Sequence, residues 1–139
     1  MKKNRGLIAL CVAICLMAML VPASAISMRA SEQIFMHSID ADASGGEIVT
    51  RFTVWGNTIM DKLGCQSIQI YEKRSSSWVS VASFDEDDEG MSKTDGTRHS
   101  NSIGWACKSG VEYRVDVTIF AENSTGRDTR SKTVYVTGK

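Results

Sequence analysis

The chain of 139 residues has one proline, two histidines and no excess of either charge. A formal net charge of zero excludes a strongly basic protein that binds nucleic acid by neutralising phosphates. A hydrophobic content of 42% excludes a long disordered polymer. The sequence also lacks the repeated long apolar runs of a multi-pass membrane protein. Its length leaves room for one domain.

The first 25 residues have the pattern of a helical secretory signal peptide. A basic start at residues 2–5 precedes an uncharged apolar stretch at residues 6–21, and Ala23-Ser24-Ala25 offers the small residues that a signal peptidase reads. A retained membrane anchor is the alternative, but the apolar stretch is shorter than the ~20 residues that a bilayer requires. We expect cleavage after Ala25, secretion, and no membrane association of the mature protein.

Cleavage changes the charge and the cysteine count. It removes three basic residues and no acidic one, so the net charge of residues 26–139 becomes −3. It also removes the single proline, Pro22, and two of the four cysteines, which leaves Cys65 and Cys107. Two remaining cysteines in an exported protein suggest one disulfide. We expect residues 26–32 to be a short flexible lead and residues 33–139 to form the domain.

Apolar and polar residues alternate with a period of two along the mature chain. The alternation is clearest over Val111–Ala121, where Tyr113, Val115 and Val117 share one face and β-branched residues dominate. Turn-forming residues such as Ser75-Ser76 separate the alternating segments. We predict strands at residues 34–41, 48–55, 68–71, 78–84, 98–105, 111–121 and 133–136, and one short helical turn at residues 57–64. About seven short strands predict an all-β fold, an antiparallel β-sandwich.

The last third of the chain carries a recognisable series of residues. Gly110–Val117 places a glycine ahead of a Tyr-Arg-Val strand, residues 121–126 read Ala-Glu-Asn-Ser-Thr-Gly, and Val134-Tyr135-Val136 alternates near the C-terminus. This series resembles the end of a fibronectin type III domain, which has an immunoglobulin-like sandwich fold. The resemblance implies that Tyr113 locks a corner between strands through a hydrogen bond to the backbone. The mature chain departs from that family in having no proline.

A second resemblance covers most of residues 47–134. Its motifs are Met60–Gly64, Ile68–Lys73, Trp78 with Val81, His99-Ser100, Tyr113-Arg114, Val117-Thr118 and Gly126–Arg130. They are similar to those of small secreted proteins from Gram-positive, clostridia-like bacteria, in a domain family of unknown function. The resemblance implies export and a β-sandwich and implies no activity. In fibronectin-like topology, Cys65 and Cys107 would lie at opposite ends of the domain, so they are either bridged with a local change of topology or free thiols.

Three aromatic side chains form the candidate binding surface. Tyr71, Phe120 and Tyr135 have the outward parity on strands that share one sheet in a sandwich. They could form an exposed apolar surface that stacks on sugar rings or docks a protein. The alternative is that the stems of Lys73, Arg114 and Arg130 cover them. Trp55 and Trp78 are expected in the core or at a sheet edge.

No residues predict a metal site or a catalytic centre. His37 and His99 are isolated, and a zinc site needs three or four ligands. The acidic run Asp85–Glu89 lacks the alternating ligand spacing of a calcium loop, so we predict a solvated loop there. No Ser-His-Asp set, paired carboxylates or phosphate-cradling glycine loop is present.

The sequence therefore predicts a secreted, non-catalytic binding or interaction module at or outside the cell surface. We expect no cofactor, no metal and no nucleic acid, and a glycan or a protein of the cell surface as the candidate partner. A structural protein with homotypic contacts is the alternative. A hydrolytic enzyme is the third hypothesis, which the absence of a catalytic motif disfavours.

Overall fold

The computed structural model describes residues 33–139, and every regular element in that range is a β-strand. The all-β, antiparallel prediction is confirmed. The predicted signal peptide at residues 1–25 and the lead at residues 26–32 lie outside the described residues. Within residues 33–139, no helix is long and apolar enough to cross a membrane.

Six strands form one antiparallel sheet. They are β1 (Ile34–Ser44), β2 (Glu47–Arg74), β3 (Ser77–Asp85), β4 (Ser92–Ala106), β5 (Glu112–Asn123) and β6 (Gly126–Thr137). The strand order is β1-β2-β5-β6, and both β3 and β4 also pair with β2. Each segment that alternation predicted as a strand lies in one of these six, apart from Val111, which precedes β5. The count is six because the predicted strands at residues 48–55 and 68–71 are parts of the single strand β2.

Strand β2 has 28 residues and joins the two parts of the sheet. Its first part pairs with β1 and with the end of β4, and its second part pairs with β3 and β5. Between them the register against β4 shifts, since Trp55 pairs with Arg98 and Met60 pairs with Gly96. Extra residues on one strand bend and twist a sheet. The irregularity at residues 56–59 therefore lets the sheet curl around one core.

The prediction of a helical turn at residues 57–64 is wrong. Met60, Lys62, Leu63 and Gly64 pair with β4, and Lys62–Gly64 also pair with β5. The side chains of Met60 and Leu63 are fully buried. Pairing with two strands that are distant in sequence decides the local conformation here, and a local pattern carries no sign of such pairing.

The core lies on the concave face of the curled sheet. The inward residues of β5, from Tyr113 through Val115 and Val117 to Ile119, are each at most 1% exposed. Ile48, Phe52, Val54, Ile68 and Ile70 of β2 belong to the same buried cluster. Strands β4 and β5 are not paired, yet Trp105 and Tyr113 meet edge to face with ring centroids 5.8 Å apart. This contact places the two parts of the sheet against each other.

Candidate binding surface

The convex face of β2, β5 and β6 holds the predicted binding residues. Tyr71 pairs with Arg114, and Arg114 pairs with Tyr135, so these three side chains form one row across the sheet. Tyr135 is 67% exposed, and Tyr71 is half-buried. Arg114 covers Tyr71, with its guanidinium carbon 4.2 Å from the ring centroid. The alternative in which arginine covers the aromatics therefore holds for Tyr71 and leaves Tyr135 open to solvent.

The prediction that Phe120 belongs to an exposed surface is wrong. Phe120 is fully buried although it has the same parity on β5 as Arg114. The guanidinium carbon of Arg127 lies 4.1 Å from its ring centroid. Arg127 donates hydrogen bonds to Glu86 at 2.8 Å and to Glu122 at 2.6 Å, which hold it over the ring. The covering residue comes from β6 and its anchor from the acidic run, so strand parity alone could not reveal the burial.

Trp78 replaces Phe120 as the third aromatic residue of this face. Its ring centroid lies 5.8 Å from that of Tyr135, with the ring planes at 51°. The guanidinium carbon of Arg114 is 5.7 Å from the indole centroid. We name Tyr71, Trp78, Arg114 and Tyr135 the aromatic surface. The short β2–β3 turn pairs Trp78 with Lys73. Lys73 is two residues from Tyr71 and therefore lies on the same face of the sheet, so the register of the hairpin was the signal that could have placed Trp78 there.

A groove of about 280 Å³ runs beside the aromatic surface. Trp78 and Tyr135 line it together with Lys73, Glu112 and Thr137. Lys73 and Glu112 form an ion pair, and the Lys73 ammonium lies 5.9 Å from the indole centroid. The groove therefore combines two aromatic rings, one exposed and one half-buried, with a cation, a carboxylate and a hydroxyl. This combination suits a ligand that has both an apolar face and hydrogen-bonding groups.

A second cleft of about 350 Å³ lies at the other face of β2. Its buried carboxylate, Glu72, accepts hydrogen bonds from Arg74 Nε at 2.8 Å and Lys108 Nζ at 3.3 Å. The hydrogen bond from Arg74 holds the pKa of Glu72 below its ordinary value. Cys107 also lines the cleft, whose lining residues include no histidine that could activate the thiol.

Tyr113 closes the same cleft at the turn before β5. Its hydroxyl accepts a hydrogen bond from the backbone N–H of Lys108 at 2.9 Å, and its side chain is fully buried. This is the type of bond expected of a corner tyrosine.

Cys65 and Cys107 are free thiols, so of the two alternatives, a disulfide or free thiols, the second holds in the structure. The two cysteines lie near opposite ends of β5. Cys65 pairs with Ile119, whereas Cys107 is next to Lys108, whose N–H donates to the Tyr113 hydroxyl. Tyr113 and Ile119 are six residues apart on β5. At the rise of a strand, six residues span roughly 20 Å, whereas a bridge requires Cα atoms within about 7 Å. Burial raises the pKa of the Cys65 thiol to about 12.

The histidines and acidic residues do not form a metal site within residues 33–139, where no group of three or more His, Cys, Asp or Glu side chains could hold an ion. A ring nitrogen of His99 lies 2.7 Å from the carbonyl oxygen of Gly90. His37 is exposed on β1. Two cations from other strands bind the acidic run. Lys62 of β2 donates to Asp87 at 2.9 Å, and Arg127 of β6 donates to Glu86 at 2.8 Å.

Comparisons with known proteins add one distant likeness. No model of a known protein family matches the chain. No curated protein sequence matches it either. The chain is similar to a solved structure of Spo0M, a sporulation control protein from Bacillus subtilis, with a TM-score of 0.42 and 14% identity. The match covers 75% of this chain and 49% of that one, so the chain spans about half the length of Spo0M.

Proposed function

We propose that this protein is exported, is cleaved after Ala25, and acts as a non-catalytic binding module at or outside the cell surface. We further propose that residues 33–139 are a β-sandwich of the fibronectin type III or immunoglobulin-like kind, with β2 counted as two of its seven strands. The signal-peptide pattern and the resemblance to small secreted Gram-positive proteins support export. The curled sheet around one core supports the sandwich.

The contact between the exposed ring of Tyr135 and the half-buried ring of Trp78 is the observation that carries the binding function. Tyr135 is 67% exposed although an aromatic ring gains free energy from burial. The Arg114 guanidinium packs against the rings of Tyr71 and Trp78, and these contacts restrict the rotamers of both side chains before a ligand arrives. Rigid aromatic side chains lose little conformational entropy on binding. A surface glycan, which has an apolar C–H face and hydroxyl groups, or a protein segment would fit this surface.

Catalysis is not part of the proposal. In the groove, the Lys73 ammonium and the Glu112 carboxylate neutralise each other. In the cleft, two cations bind the Glu72 carboxylate, and no imidazole lies beside Cys107. Neither site therefore pairs a nucleophile with a general base.

The experiment is a pull-down of residues 26–139 on immobilised glycans and on insoluble cell-wall material. Tyr135→Ser and Trp78→Ser should each reduce retention by about tenfold, which corresponds to ~1.4 kcal/mol of binding free energy. Phe35→Ser is the matched control because Phe35 is 73% exposed on β1, away from the aromatic surface. Unchanged retention of folded Tyr135→Ser and Trp78→Ser variants, or an equal loss with Phe35→Ser, would refute the proposal.

A further inference from the structure

Strand β3 is an edge strand of unusual composition. Among the described residues, its one ladder partner is β2. The segment Trp78–Phe84 reads Trp-Val-Ser-Val-Ala-Ser-Phe, with no charge and no proline. An edge strand leaves backbone N–H and C=O groups unpaired, and proteins usually protect such an edge with lysine, proline or a covering segment. Strand β3 therefore has a backbone edge that is suited to accept another strand.

Strand β6 and the first half of β4 carry the protection that β3 lacks. Strand β6 contains Arg127, Arg130 and Lys132, and it lies beside β1. The Lys132 ammonium donates to the carbonyl oxygen of Ile39 at 2.8 Å, which ties β6 to β1. Strand β4 carries Lys93, Asp95 and Arg98 in its first half, whereas its residues 99–106 are uncharged.

The two ends of β3 have opposite charge, which indicates what kind of strand would pair with it. Near its N-terminal end, the cations Lys73, Arg74 and Lys108 exceed their partners Glu72 and Glu112 by one charge. At its C-terminal end, the five carboxylates of Asp85–Glu89 exceed the cations Lys62 and Arg127 that bind them. An antiparallel partner with the same sequence would place each basic turn beside the other copy's acidic run. Such complementary charges favour pairing with a second copy of this chain, and they favour the antiparallel over the parallel orientation.

We propose that β3 pairs antiparallel with β3 of a second copy, so that the chain forms a closed two-fold dimer. A two-fold contact uses the same edge on both copies and leaves neither β3 edge available to a third. The register against β2 shifts at Val81, which lies between Ser80 and Ala82 as an extra residue. This bulge limits straight pairing to the short segments on either side of it, which opposes indefinite stacking into fibres.

Sedimentation of residues 26–139 at concentrations from about 1 µM to about 1 mM tests the dimer. Ser83→Lys should weaken the dimer at least about tenfold, because lysine on an edge strand opposes strand pairing. Ser131→Lys on β6 is the matched control. Both serines are exposed and bond a neighbouring strand, Ser83 to Gln69 at 2.6 Å and Ser131 to Thr118 at 2.8 Å. A monomer at all concentrations would overturn the proposal, and so would a dimer that Ser131→Lys weakens as much as Ser83→Lys.

Hydrogen exchange locates the interface without a substitution that could unfold the domain. Amide protection in Ser77–Asp85 should rise with protein concentration, while protection in β6 stays constant. A dimer whose added protection lies outside β3 would overturn the inference. The dimer does not depend on ligand binding by the aromatic surface, so a failed pull-down and a failed dimer measurement are separate results.

Discussion

At the residue scale, the Tyr113 hydroxyl satisfies a backbone donor at the turn between β4 and β5. The ring is also part of the core, where it meets the edge of Trp105. This hydrogen bond is part-buried, and an intramolecular hydrogen bond contributes about 0.5–1.5 kcal/mol of folding free energy. The tyrosine therefore contributes through both its ring and its hydroxyl, and a substitution that keeps the ring separates the two.

Tyr113→Phe should lower the free energy of unfolding by about 0.5–1.5 kcal/mol, because the part-buried hydrogen bond from the Lys108 N–H is lost while the ring stays buried. Urea denaturation followed by circular dichroism measures the change. Tyr135→Phe is the control, since that side chain is 67% exposed and its hydroxyl can bond water. Equal unfolding midpoints for the two variants would contradict the role assigned to the Tyr113 hydroxyl.

At the element scale, the connection between β3 and β4 packs onto the middle of β2. The N–H of Cys65 donates to the carbonyl oxygen of Met91 at 2.7 Å, and Met91 is fully buried. This close approach requires a glycine at position 64, where φ is +152° and a Cβ atom would lie 2.3 Å from the Met91 carbonyl oxygen. Residues other than glycine rarely adopt such a φ.

Gly64→Ala should destabilise the fold by roughly 2–4 kcal/mol, because backbone strain and a clash add together. Gly126→Ala separates the two causes: its φ of +148° is similar, but a Cβ atom there would meet nothing within 4 Å. Thermal unfolding should show a larger fall in Tm for Gly64→Ala than for Gly126→Ala. A similar fall for both variants would mean that the packing of the Met91 segment contributes little.

The same connection makes stability depend on pH. The hydrogen bond from Arg127 holds the pKa of Glu86 below its ordinary value, and Lys62 acts in the same direction. A lowered folded-state pKa contributes stability that is complete above the unfolded pKa, about 4.3, and is lost as the pH falls through the folded pKa. Glu86→Gln should therefore flatten the fall of unfolding free energy below about pH 5. Denaturation at a series of pH values gives the slope of unfolding free energy against pH for the unchanged protein and for Glu86→Gln. Identical slopes would contradict the role assigned to Glu86.

The sequence could predict the strands but not the features that depend on contacts between distant segments. Alternation alone locates the buried face of β5, since it reports which side chains face the core. It fails at residues 57–64, where β4 and β5 hold the chain extended. It also fails at Phe120, because Arg127 and Glu86 arrive from elsewhere in the chain. Trp78 was within reach of sequence reasoning, through the register of its hairpin.

At the scale of the whole molecule, one sheet presents two different external features. The convex face bears the aromatic surface beside an ion-paired groove. The uncharged edge lies on β3, which also carries Trp78. A dimer formed through β3 would place two aromatic surfaces on one extended sheet, so a ligand with repeated units could engage both and bind more tightly than to either alone.

The three tryptophans allow a direct test of the proposed binding surface. Trp78 lies on the aromatic surface, Trp55 lies under Arg98, and Trp105 packs against Tyr113. In an NMR titration of ¹⁵N-labelled residues 26–139 with soluble cell-wall glycan fragments, we predict that the indole N–H signal of Trp78 shifts with the ligand. The signals of Trp55 and Trp105 should stay in place. Saturable binding that leaves Trp78 unchanged, or that shifts Trp55 or Trp105 instead, would contradict the account.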